Sequence, residues 1–259
     1  MKLITPKEVG DHYRQESLVQ EYISRRFSDP LNIIEHQRQV SILNKIINEN
    51  QCQQVLEFAP GPARVTAELE IDGGTSIDAS AEMLEIAKAR MRQRGKSWTF
   101  LQQDLFKIPT RMKKKYDLIF AFRFFLHFQK EHRQILYQRA FHALPEGGYL
   151  VFEAMNRRVA GSLRKILGEK RYFVFDKLYS RKELAAELEE NGFGLVRLYP
   201  VLNHFWLQAL CSRPFKLLGW LKKAEKSVVF FERFLSQQPY EWVVLAQKKN
   251  VKEKISRKK

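Results

Sequence analysis

Two carboxylates frame the chemistry of this chain: Glu57 and Asp78 each close a short apolar run, with a turn of Ala, Pro and Gly between them (Gln54 to Asp78, QVLEFAPGPARVTAELEIDGGTSID). A strand, a tight turn, a helix-compatible stretch and a second strand make the first unit of a doubly wound nucleotide-binding sheet. The turn does not fit a dinucleotide fingerprint: aligned from Ala59 it reads Ala-Pro-Gly-Pro-Ala-Arg, with Arg64 where a glycine should admit a helix. It also lacks the Walker lysine, which excludes a P-loop. Neither pattern accounts for the acid at the end of the first strand.

Downstream, His127 lies just past the fourth apolar run, where a general base could reach a substrate hydroxyl; it could equally be a hydrogen-bonded wall residue. Arg123, at the same rim, suits a carboxylate or phosphate, or a neighbouring acid. His12, Tyr13 and Asn156 are further candidates. Cys52 and Cys211 stand far apart without a Cys-x-x-Cys or His-rich partner, so no metal site or disulfide framework is expected, and a reducing, cytoplasmic setting is.

The elements that must position these residues alternate. Strands are expected at 54–58, 75–78, 98–102, 116–121, 149–154, 194–201 and 241–248, with helices over roughly 63–70, 129–142 and 181–191. Ser80 N-caps a further helix whose buried face is Met83, Leu84, Ala87 and Met91, and Gly95 ends it. Continuous apolar runs separated by amphipathic helices imply a sheet buried on both faces. Residues 1–50 are expected as a helical N-terminal cap, with Ile33, Val40, Leu43 and Ile47 in one stripe after a break at Asp29-Pro30.

The core domain then spans 51–249, with insertions at about 156–180 and 202–237, and a basic tail at 250–259. Each insertion follows the carboxyl end of a strand and is therefore expected over the ligand site, where it would choose the substrate. In 202–237, Pro214 is expected to break the chain. Phe215, Leu218, Leu221, Val228, Phe231 and Leu235 then share a helical face among Lys216, Lys222, Lys223, Lys226 and Arg233. That pattern fits a lid helix packed on the core, or a basic–aromatic surface meeting a lipid interface or an apolar substrate. The segment RYFVFDKLY in the other insertion has the same character and could also stack bases.

The 259 residues carry a net charge of +16, supplied mainly by residues 80–115 and 201–259. Such a field favours anionic partners without specifying a fold. The N-terminus has no secretory apolar segment, and no window is long and apolar enough to span a bilayer.

The segment LEFAPGPARVT resembles the first motif of class I S-adenosylmethionine-dependent methyltransferases, an acid followed by G-x-G-x-G. The likeness continues in order through IDASAEMLEIAKAR, FLQQDLFKIP, YDLIFAFRFFLHF and LPEGGYLVFE, then more loosely through RKELAAELEENGF and EWVVLAQKK. The resemblance implies an α/β, doubly wound, seven-stranded, mostly parallel sheet with the last strand antiparallel and helical insertions after strands 5 and 6. It implies S-adenosyl-L-methionine as cofactor. Gly61 would admit the methionine part, Asp78 would accept the ribose diol, and Asp104, beside Leu105, would take the adenine amino group. Ala79 and Met83 would line the adenine slot, and Glu57 would help hold the ammonium end. Ala59 and Ala63 replace the motif's first and third glycines, adding methyl groups where backbone nears ligand.

The acceptor expected is a small molecule, of apolar or lipid-like character. A nucleic-acid methyltransferase is the first alternative, favoured by the charge. The fourth strand ends AFRF, however, rather than in the motif of amino-base methylation, and no RNA-binding module is visible. A non-catalytic binding subunit on the same fold is the second.

Overall fold

Four short apolar strands, β1 (Val55–Phe58), β2 (Thr75–Asp78), β3 (Thr99–Gln102) and β4 (Leu118–Ala121), pair in parallel and lead into the longer β5 (Tyr149–Asn156). A computed structural model describes residues 5–13, 27–108, 116–168, 171–172, 174–234, 236 and 238–250. The helices are α1 (Pro6–Tyr13), α2 (Pro30–Glu49), α3 (Ala81–Gln93), α4 (Lys130–Ala143), α5 (Arg157–Leu167), α6 (Arg181–Glu190), α7 (Phe205–Leu217) and α8 (Leu221–Glu232). Three more strands, β6 (Leu178–Tyr179), β7 (Phe193–Val201) and β8 (Glu241–Lys248), complete the sheet in the order β3-β2-β1-β4-β5-β8-β7. β8 runs antiparallel to both its neighbours, and two-residue β6 pairs with the end of β5. The expected seven strands are all present; β6 is the addition, too short for a periodic signal.

Alternation along each strand feeds two cores. Leu56, Ile119 and Phe152 face α4 and α6, whereas Val55, Phe120 and Val151 face α2 and the α7–α8 hairpin. Asp29 caps α2, accepting from the Leu31 N–H at 3.0 Å, with Pro30 in the first turn. The stripe on α2 holds at Val40, Leu43 and Ile47, but its first buried member is Ile34 rather than Ile33. Ser80 caps α3 as the sequence implies, and Met83, Leu84, Ala87 and Met91 are its buried residues.

Two expectations are corrected. The helix over 63–70 is only a 3-10 turn, Thr66–Glu68. Thr66 directs its hydroxyl to Glu57 in the core, and Glu70 N–H bonds to Asn44 instead of continuing a helix. Nor does Pro214 break its segment: it lies inside α7, whose end is set by Gly219 at φ +70°. There Trp220 N–H donates to Phe215 O at 2.8 Å and Gly219 N–H to Lys216 O at 3.1 Å, a Schellman closure. The single apolar face therefore divides. Val228 is buried and Phe215 and Phe231 are half-buried, while Leu218 and Leu221 stand exposed; Leu235 lies outside the described residues.

Candidate active site

A cavity of about 480 Å³ opens at the carboxyl ends of β1, β2 and β4, where the strand order reverses. Its floor is the turn after β1. Ala59, Gly61 and Ala63 all have φ +53°, so alternate residues occupy the left-handed region. Ala59 N–H donates to Ile77 O at 2.8 Å, and Gly61 N–H to Asp78 Oδ2 at 3.0 Å. Asp78 Oδ1 accepts from Ser80 N–H at 2.9 Å. One carboxylate thus ties the turn to the start of α3. A Cβ at Gly61 would meet no protein atom within 4 Å, so the space above it opens into the cavity.

Arg64, which spoils the dinucleotide fingerprint, is buried and reaches α2. Its guanidinium lies 2.6 Å from His36 Nδ1 and donates to Gln39 Oε1 at 2.8 Å. It braces the turn where a glycine would have let a helix approach. Glu57 lines the cavity but is 3 % exposed; it accepts from the hydroxyls of Thr66 and of Ser76, the latter at 2.9 Å. Burial pushes its carboxyl up to about 7, against the lowering effect of those two bonds.

Asp104 sits on the far wall, accepting from Phe106 N–H at 2.9 Å, with Lys107 3.3 Å away. Ala79, Met83 and Leu105 line the slot beside it. All nine residues the resemblance assigned to the cofactor sit in or at this cavity except Ala63, which turns its side chain into the α3 core with Ala67, Ala87 and Met91.

At the other end, Phe122, Phe124 and Phe128 make an aromatic wall, with Val9 of α1 across from them. Arg123 and His127 are set in that wall. Arg123 holds φ +59°, and its N–H donates to Glu153, whose buried carboxyl is also pushed up to about 7 by desolvation. His127 is 2 % exposed; its Nδ1 is 2.7 Å from Asp176 Oδ1 and 3.3 Å from Phe175 O. Asp176 is gripped by Arg164 at 2.5 Å. Burial raises its carboxyl, but the bond from His127 and the charges of His127, Arg123 and Arg164 bring it down to about 2. His12 on α1 is lowered by burial and then by His127, which places it near the same wall.

Asp176, Thr66, Ser76 and Glu153 have no local sequence signal. Asp176 is 49 positions from His127, and only the fold brings them together; an acid inside the aromatic run FVFDKLY was the one visible hint. Asn156, by contrast, does not line the cavity. Its Oδ1 caps α5 by accepting from Arg158 N–H at 3.1 Å, and its Nδ2 donates to Pro239 O at 2.8 Å. Tyr13 is the last residue of α1.

The expectation that both insertions overhang the site is also corrected. The first reaches it through Asp176. The second folds onto α2, tied by Lys216 to Asp29 and by Arg38 to Glu232 at 3.5 Å, and among the described residues contributes none to the lining. The physical reason is position: β7 lies at the opposite end of the sheet from β3 and β2, so a hairpin leaving it meets α2 before it can meet the switch point.

The strand order, the acid-closed turn and the cavity at the switch point define a Rossmann-like class I methyltransferase fold. The methyltransferase domain family matches residues 55–148. No curated protein sequence matches the chain. Solved structures of the same fold include magnesium protoporphyrin IX methyltransferase from Synechocystis PCC 6803 with bound SAH (14% identity, 94% of this chain, 100% of that one, TM-score 0.64). Others are an S-adenosylmethionine-dependent methyltransferase from Clostridium acetobutylicum ATCC 824 (12%, 92% and 100%, 0.62) and the [4+2]-cyclase SpnF (16%, 96% and 98%, 0.62). Residues 55–148 thus match the methyltransferase domain family, and the chain as a whole has the fold of these S-adenosylmethionine-dependent methyltransferases.

Proposed function

We propose that the chain methylates a small, apolar or lipid-like acceptor that enters along the aromatic wall between α1 and the end of β4. The observation that carries this reading is the joining of two chemistries in one cavity. A cradle of turned backbone and strand-end acids lies at one end, and an aromatic wall holding Arg123 and His127 at the other. The cradle fits the cofactor's parts: the Asp78 carboxylate at the end of β2 suits the ribose diol, Asp104 on the far wall suits an amino group, and Glu57 is an acid on the turn side. Bound there, the cofactor supplies a methyl group already activated on a sulfonium.

What remains for the protein is alignment and proton handling. The aromatic wall excludes water and holds the apolar body of the acceptor. Asp176 favours the tautomer with the proton on Nδ1 of His127, so that Nε2 is the basic nitrogen. Nε2 would take the acceptor's O–H or N–H proton, leaving the acceptor's lone pair as the nucleophile. Arg123 suits an anionic group on the acceptor.

Radioactive methyl transfer from S-adenosylmethionine tests the reading, with lipid extract and total RNA as competing acceptors. Label is expected in organic-soluble small molecules and is expected to vanish in Asp78→Ala, which should lose cofactor binding by calorimetry while staying folded. Label in RNA would replace this acceptor class with the nucleic-acid one, and unchanged calorimetric affinity in Asp78→Ala would sink the cradle assignment.

A further inference from the structure

The α7–α8 hairpin leaves much of its apolar surface on the outside. Its inner face against α2 buries Gln208 and Ser212 beside Phe205 and Val228, whereas its outer side is apolar. Nine of the thirteen exposed large apolar side chains among the described residues belong to it, and a tenth, Phe234, follows α8 directly. A soluble helix pair turns such residues inward.

The tip is the extreme case. Leu217, Leu218, Trp220 and Leu221 surround Gly219 and are 79%, 61%, 49% and 42% exposed. The Schellman closure fixes this tip as a compact knob. Lys216, Lys222 and Lys223 flank it, and Lys223 Nζ lies 3.9 Å over the Trp220 ring. Along α8 and just past its end, Lys226 and Arg233 are exposed, as are Phe230 and Phe234, whose rings meet at 5.5 Å. The acids do not offset this on the outside. Glu232 is turned in toward Arg38, Gln208 and Asn203, and Glu225 is half-buried.

We propose that this hairpin docks the protein on an anionic lipid surface. Leu217, Leu218, Trp220 and Leu221 enter the boundary between headgroups and acyl chains, and Lys222 and Lys223 beside them meet lipid phosphates. Charge complementarity selects this occupant: a second copy would set cation against cation, whereas an anionic bilayer satisfies the apolar knob and its basic collar together. Among the described residues no helix is long and apolar enough to cross a membrane, and surface docking requires none. The assignment does not depend on which acceptor is methylated.

The test is flotation of the full chain with vesicles of phosphatidylcholine, with and without one third phosphatidylglycerol. Binding is expected to the anionic vesicles, weakening as salt rises. The double variant Leu218→Ser/Trp220→Ser is expected to abolish it. Lys222→Glu/Lys223→Glu/Lys226→Glu should weaken it by roughly a hundredfold or more. Circular dichroism and S-adenosylmethionine affinity should match the parent in both variants, because these side chains are exposed and far from the cavity lining. Failure of the parent to float, or flotation of the tip variant at parental level, overturns the proposal. So does a dimer by light scattering that the tip variant converts to monomer, which would make this face a self-interface.

Discussion

Ala59 and Ala63 are alike in sequence and different in consequence. Both hold φ +53°, where an L-residue other than glycine is strained by about 1 kcal/mol. Ala59 is half-exposed, so Ala59→Gly should raise stability by about 0.5–1 kcal/mol. Ala63 is fully buried in the α3 core, and losing a buried methyl costs about 0.8 kcal/mol, so Ala63→Gly should be close to neutral. Urea denaturation of the two variants checks this, and equal shifts would contradict the packing difference. The motif pattern showed where glycines were missing; which methyl is packed and which is only strained needed the fold. At the other end of the cavity, His127→Asn should lower kcat by about 10²–10⁴-fold. Asp176→Asn should retain part of that rate with an altered pH profile, and both should leave cofactor affinity intact. Parental kcat in His127→Asn would make it a wall residue. His127 was a sequence candidate; Asp176 could not be one, because a partner 49 positions away leaves no spacing to read.

Among the elements, α4 and α6 are joined by a buried ionic knot that no motif announces. Arg133 donates to both oxygens of Glu187 at 2.7 and 2.6 Å, and the hydroxyls of Tyr179 and Tyr137 donate to the same carboxylate at 2.7 and 3.2 Å. Although burial opposes it, these bonds hold the Glu187 carboxyl below its ordinary range. Removing one partner strands a buried charge, so Arg133→Met alone should cost about 3–5 kcal/mol. The pair Arg133→Met/Glu187→Leu should recover most of that loss. A double-mutant cycle by chemical denaturation measures it; additive losses would mean that packing, not charge, is what the single variant removes. The strands and most helices could be read because apolar period and caps are local properties, as at Ser80 and at Ser180, where a full capping box starts α6. The helix expected at 63–70 was lost to side-chain partners on other elements, which no local pattern contains.

For the molecule as a whole, the two carboxyls raised to about 7, Glu57 and Glu153, set the pH response near neutrality. The folded protein holds more protons than the unfolded chain between their ordinary range and pH 7. Their contribution is therefore fully present below about pH 4.5 and is lost as pH rises through 7. Asp176 and Glu183, lowered to about 2, act only in acid, and the lowered His12 opposes the trend. Without cofactor, Tm should be higher at pH 5.5 than at pH 7.5, and Glu57→Gln/Glu153→Gln should flatten the difference; a parental Tm that rises with pH would contradict the assignment. The net charge of +16 was plain from composition, but composition cannot say that the hairpin turns Glu232 inward while its lysines and several leucines stand exposed. By itself the sequence determined the alternating α/β architecture, the strand-end acids and a resemblance to one family of cofactor-binding domains, because strand alternation, turn motifs and caps act over a few residues. Only the tertiary structure decided that Asp176 meets His127, that Arg64 braces α2, and that the second insertion leaves the cavity to present its apolar tip to solvent. Those outcomes depend on strand order and long-range packing, which join residues that no sequence interval connects.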